Sequence, residues 1–152
     1  MSGLLPAAVL VPAVVAVVCL PLPRRRHPVV GLVGAGLTRV IGLAIVVSIA
    51  AGGPLEHVLA GWDPPLGIAL RADGLSAAFL ALTSVVALAI AFVAASEQSA
   101  TGERPGFWVL SALTWAGLNG VFLAGDLFNA YVALEILSLA AVGLVALGGR
   151  GA

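Results

Sequence analysis

The chain has 152 residues, of which 61% are hydrophobic and only 9% charged, with a mean hydropathy of +1.16. An ordinary soluble domain is about one-quarter charged, so this inventory does not furnish a water-facing surface. Seven arginines balance seven acids and lysine is absent; without a basic surplus, nucleic acid is excluded as a partner.

A helix crossing a ~30 Å hydrocarbon core needs roughly 20 predominantly apolar residues, and five stretches meet that length. The first, 4–22, contains Pro6 and Pro12 and is closed by Pro21, Pro23 and the run Arg24-Arg25-Arg26. Those charges follow the apolar stretch instead of preceding it, so it reads as a retained helix and not as a cleaved secretory signal. The second spans 29–51 and is stopped by Gly52-Gly53-Pro54. The connection from Leu55 to Leu70 carries Glu56, His57, Asp63 and Pro64-Pro65, and it reads as an ordered loop at the membrane surface with Trp62 at headgroup level. The third span is 72–95, followed by a polar turn, Ser96 to Pro105. The fourth, 106–124, opens on Phe107-Trp108 and repeats small residues at Ala112, Ala116, Gly120 and Ala124, a stripe along which another backbone can approach. Gly125-Asp126 makes a tight corner, with Asp126 as N-cap, before the fifth span, 127–147.

The expected fold is therefore an all-α membrane protein of about five transmembrane helices forming one domain over 1–152. With the N-terminus outside and the C-terminus inside, Arg24, Arg25, Arg26, Arg104 and Arg150 lie on the inner side and Arg71 on the outer, as the positive-inside rule requires.

Glu135 is the candidate for chemistry. It lies eight residues into the fifth helix, roughly 12 Å deep at 1.5 Å per residue. An acid there is costly and is by default a functional-site hypothesis. Tyr131 and Ser138 fall one turn to either side and complete a polar face. Proton handling by Glu135 stands against the plainer reading, a neutral carboxyl that only joins two helices. Arg39, inside the second helix, either snorkels to the inner surface or serves as charge partner to Glu135. Asp73, beside Arg71, reads as a cap or a local ion pair, and Asn119 and Asn129 as bonds between helices. Thr83, Ser84 and Thr114 read as bonding back to their own helices. Glu56-His57 lacks the second histidine of a zinc helix, and Gly34-Ala35-Gly36 sits inside an apolar helix, not after a strand. No metal cluster, nucleophile-base pair or cofactor cradle is legible, and a self-sufficient enzyme is not expected.

Two stretches carry a family resemblance. GWDPPLGIALRADGLSAAFLALT, Gly61 to Thr83, resembles the loop and third helix of the antiporter-like proton-pumping membrane subunits. AGLNGVFLAGDLFNAYVALEILSLAAVGLVAL, Ala116 to Leu147, resembles their fourth and fifth helices, and GDLFN followed by an in-helix glutamate is the more specific signal. That family includes the D subunits of Mrp-type cation/proton antiporters, to which the wording is most similar. It also includes the large membrane subunits of NADH:quinone oxidoreductase and of membrane-bound hydrogenases. The resemblance implies a proton path in which Glu135 matches the family's fifth-helix glutamate, whose partner is a lysine on a later helix. It also implies a multi-pass protein of the bacterial plasma membrane, working with other membrane subunits on protons and a monovalent cation. The alternatives are a redox-driven proton-pumping subunit and a non-transporting scaffold. The chain departs from the pattern in having no lysine and only five spans, so it is expected to correspond to the N-terminal portion of a family member and to be incomplete alone.

Overall fold

The computed structural model describes residues 3–59, 67–101 and 106–148, side chains of 98–101 excepted. Trp62, Arg104 and Arg150, on which the surface-anchor and orientation expectations partly rest, lie outside the described residues.

Among the described residues five α-helices carry the fold: α1 Leu4–Cys19, α2 His27–Gly52, α3 Gly74–Thr101, α4 Phe107–Leu123 and α5 Leu127–Gly148. Three of them, α2, α3 and α5, are long and apolar enough to cross a membrane. α1 and α4 are apolar but shorter, at 16 and 17 residues. Their boundaries follow local chemistry. Gly53 at φ 85° ends α2 and Gly106 at φ 87° precedes α4, a left-handed backbone that glycine adopts without steric cost. Asp73 caps α3, its Oδ1 accepting the backbone N–H of Leu75 and of Ser76, both at 3.0 Å. Pro12 is the internal proline of α1 and is buried. α3 runs on through Thr101, into the segment expected to be a polar turn; residues 96–101 contain no glycine or proline, so nothing breaks the helical ladder there.

The connection after α2 is not a loop at its ends. β1 Leu55–Val58 and β2 Ala69–Ala72 pair antiparallel, with Leu55 opposite Ala72 and Val58 opposite Ala69. Ala72, expected to start the third span, thus belongs to a strand. Along β2, Leu70 and Ala72 turn inward while Arg71 turns out, as a period of two requires. Outside, Arg71 and Glu56 sit opposite each other at 3.8 Å, both well exposed, a pair worth little to stability. The backbone groups that a loop would leave unsatisfied at the end of an apolar bundle are instead consumed in the ladder.

α4 sits between α1 and α5; α1 also packs on α2, and α2 on α3. Beneath the hairpin, Leu5, Ala8, Ile41, Ile45, Leu80 and Leu123 close around Leu70 and Ala72. At the opposite end Cys19, Ala35, Ala91, Ala94, Trp108 and Trp115 form a second cluster. α4 and α5 approach closely, and at Gly117 the obstacle is backbone: a Cβ there would lie 2.8 Å from the backbone N of Leu137, and one on Gly120 2.9 Å from Ala133 Cβ. Gly120 belongs to the expected small-residue stripe, whereas Gly117 does not. Asn119 donates to the carbonyl of Ala8 at 2.7 Å, a bond between helices as read from the sequence.

Gly117→Val is expected to destabilise the bundle by about 1–3 kcal/mol, the usual range for overpacking, because its obstacle is backbone and not a flexible side chain. Thermal unfolding of the full-length polypeptide in detergent checks this. Hydrogen bonds from the backbone N–H of Ser76, with others from Ser76 Oγ and the Leu75 N–H, hold the Asp73 carboxyl below its ordinary value. Its stabilisation of the α3 N-terminus is therefore complete above about pH 4 and is lost as pH falls through the lowered native pKa. A carboxyl-carbon NMR titration is expected to place its midpoint below that of an unperturbed aspartate.

Candidate functional site

Glu135 is the ninth residue of α5. The helix buries only Ala133 and Ala140 among its residues, the side that meets Gly117 and Gly120. A helix advances 100° per residue, so Tyr131, Glu135 and Ser138 come to the opposite side, and all three are exposed. Tyr131, 59% exposed, lies one turn before Glu135 on this face. Around them the same face presents Val132, Leu134, Leu139 and Val142. The arrangement is a carboxyl with hydroxyl groups one turn to either side, midway along an apolar helix, on a face that no described helix covers. Chemically it offers a group able to hold and release one proton, with Tyr131 and Ser138 as hydrogen-bonding neighbours.

Arg39 is not brought to this site. Its Nη1 donates to Ser84 Oγ at 2.8 Å and to the carbonyl of Ala81 at 3.2 Å, both on α3. The reason is topological: α2 packs on α3 and α1, while α5 packs on α4, so the two charges sit on different sides of the bundle. Nor does the side chain run along α2 to a surface, because α3 supplies acceptors beside it. Ser84 itself donates to the carbonyl of Ala81 at 2.8 Å, and Thr83 and Thr114 likewise bond back to Phe79 and Leu110.

The feature that sequence reasoning missed is the way α5 is anchored. Asp126 is its N-cap, Oδ1 accepting the N–H of Asn129 at 2.7 Å. Its other oxygen accepts the N–H of Ala69 at 3.1 Å. The Gly125 N–H donates to the Ala69 carbonyl at 2.8 Å, and Leu70 bridges to Ala124. A side chain at position 125 would lie 2.9 Å from that carbonyl oxygen, so glycine is what lets β2 reach the corner. The hairpin is thus tied to the helix that bears Glu135. The cap was legible, but the second oxygen's partner is 57 residues away in sequence and left no local signal.

Comparison with known proteins gives this fold its relatives. No family model matches the chain. It is 37% identical over 148 residues to the N subunit of NADH-quinone oxidoreductase from Desulforudis audaxviator, covering 93% of this chain and 30% of that protein. It is also 37% identical over 153 residues to the probable K(+)/H(+) antiporter D subunit of Rhizobium meliloti, covering 95% and 28%. Among solved structures, it superimposes on a chain of the Mrp complex from Dietzia sp. DQ12-45-1b with a TM-score of 0.78 and 31% identity, over 95% of this chain and 27% of that one. A chain of an archaeal respiratory complex, the membrane-bound sulfane sulfur reductase, matches with a TM-score of 0.77 and 26% identity, over 92% and 29%. Along nearly all of its own length the chain is therefore similar both to cation/proton antiporter subunits and to subunits of respiratory complexes. Its named relatives are the antiporter D subunit and the oxidoreductase N subunit, and it spans under a third of their length.

Asp126→Ala removes both the cap and the bond to Ala69 and is expected to cost about 2 kcal/mol. Asp126→Asn, which keeps carbonyl acceptance for one of the two bonds, is expected to cost less. The difference is read from thermal unfolding of the full-length polypeptide.

Proposed function

We propose that the chain forms part of a cation/proton antiporter subunit of the Mrp D type, in which Glu135 takes up and releases a proton during transmembrane proton translocation. In this reading all five helices span the bilayer of a bacterial plasma membrane, α1 and α4 as short spans. The N-terminus is outside and the C-terminus inside, so that Arg24, Arg25, Arg26, Arg104 and Arg150 lie on the inner side. The observation that carries the proposal is the ionisable side chain of Glu135 midway along an apolar helix, on a face left uncovered by every described element. In hydrocarbon such a face is costly, and a working assembly covers it with further helices that line a proton path. Tyr131 and Ser138 then serve as the supporting polar groups, holding water or the carboxyl in place. Names of the relatives point the same way, since the D subunits of a K(+)/H(+) antiporter and of Na(+)/H(+) antiporters are among them.

A second reading rests on the N subunit of the NADH-quinone oxidoreductase and on the sulfane sulfur reductase chain. The same glutamate would then work in a membrane arm driven by redox chemistry in other subunits. Neighbouring genes separate the two, antiporter subunits favouring the first and redox subunits the second.

Glu135→Gln keeps a hydrogen-bonding side chain and removes titration. In the full-length polypeptide with its partner subunits, it is expected to abolish proton-coupled cation exchange by everted vesicles while leaving the complex assembled. Glu135→Asp is expected to retain part of the activity. Undiminished exchange by Glu135→Gln would leave the carboxyl as a helix-joining group only, and the scaffold reading would replace this one.

A further inference from the structure

A second charge lies in the bundle, away from Glu135, and its surroundings are incomplete in a definite way. Arg39 is the thirteenth of the 26 residues of α2, so it sits about 18 Å from either end at 1.5 Å per residue. Arginine stays protonated in proteins, so the positive charge is permanent. One of its nitrogens is bound, to a serine hydroxyl and a backbone carbonyl, both neutral acceptors. Among the described residues no carboxylate lies within 4.0 Å of it. The acids of the described part are committed elsewhere. Glu56 faces Arg71, and Asp73 and Asp126 cap helices at the hairpin end; Glu97 lies toward the other end of α3 with an interaction of its own; Glu135 is on α5.

A cation at mid-bilayer that is held only by neutral dipoles is costly, and such groups are as a rule paired inside a bundle or a water-filled cavity. Headgroup phosphates do not reach that depth. The guanidinium has five donors in a planar fork, of which the serine and the carbonyl use only one nitrogen. Its partner must therefore bring an anion into the membrane. The surface beside it is shaped for a helix. Gly36 is one turn from Arg39, and a Cβ there would meet nothing within 4 Å. Val33 and Val40, 66% and 64% exposed, flank it on the same outward side. A small residue on an apolar helix face is what allows close approach of another helix backbone in lipid.

We propose that the outer face of α2 around Gly36, Arg39 and Val40 is the docking site for a membrane helix of a separate subunit that carries an Asp or Glu at mid-bilayer. The carboxylate accepts from the free edge of the Arg39 fork while Ser84 and Ala81 hold the other. This inference rests on the multi-subunit reading above. Both structural neighbours come from membrane complexes, and α2 lies on the other side of the bundle from the uncovered face of α5. The interaction neutralises the charge, and an arginine so paired sets the depth and register at which the two subunits meet.

The test uses the full-length polypeptide expressed with its partner subunits. A photocrosslinking amino acid at Val40 is expected to capture another subunit, in a peptide that includes an intramembrane Asp or Glu. Arg39→Glu is expected to lower the amount of that subunit co-purified by about tenfold or more, as for loss of one member of a buried ion pair. Arg39→Gln is expected to lower it less, and changing the captured carboxylate to Arg is expected to restore association with Arg39→Glu. Crosslinks only to lipid or to the same polypeptide would overturn the proposal, as would parental co-purification of Arg39→Glu at equal membrane expression. Glu135→Gln in the same preparation reads transport and not assembly, so failure of the proton-carrying role and failure of this docking site are distinguished.

Discussion

The close seating of α4 between α1 and α5 is the constraint on which the rest depends. In lipid there is no hydrophobic drive for one apolar helix to prefer another, so association relies on packing, interhelical hydrogen bonds and small residues. Gly117 and Gly120 bring α5 almost to backbone contact, with Leu137 N and Ala133 Cβ occupying the space that side chains would need. On the other flank, Asn119 donates to Ala8. Because α4 is held on both sides, the rotation of α5 about its own axis is set: Ala133 and Ala140 face inward and Glu135 faces out.

The hairpin adds a second restraint at one end. Its inner residues Leu70 and Ala72 share a cluster with α1, α2, α3 and α4, and its Ala69 exchanges bonds with Gly125 and Asp126 at the start of α5. A carboxylate that caps a helix and also binds a strand couples the two elements through one side chain. The helix carrying the candidate proton group is thereby fixed at its N-terminus as well as along its length, and a site that moves protons benefits from being mounted on so rigid an element.

The two intramembrane charges end up in different situations. Glu135 stands on an uncovered face beside Tyr131, whereas Arg39 is drawn into the α2–α3 seam by Ser84 and the Ala81 carbonyl. Neither neutralises the other, because the order of helix packing separates them. The bundle therefore carries two polar demands, pointing to two surfaces, and each asks for a neighbour of different chemistry.

Composition, the length of the apolar runs and the breakers between them determined that this is a helical protein suited to the bilayer. They also determined where most helices begin and end and that Glu135, Tyr131 and Ser138 share a face. Those properties are local: hydropathy, a period of 3.6 residues, glycine at positive φ and aspartate at a helix start act within a few residues of themselves. The capping by Asp73 and Asp126 was legible for the same reason. The tertiary structure alone decided the rest. The β pairing of Leu55–Val58 with Ala69–Ala72 needs two segments to meet across a connection whose proline pair disguises them as loop. The bond from Ala69 to Asp126, the turn of Arg39 toward Ser84 and the use of Gly117 in the α4–α5 contact all depend on which helix lies beside which. Helices that are apolar all round carry no directional pattern to say so, and only the fit of small residues, backbone and buried polar groups in three dimensions settles the order.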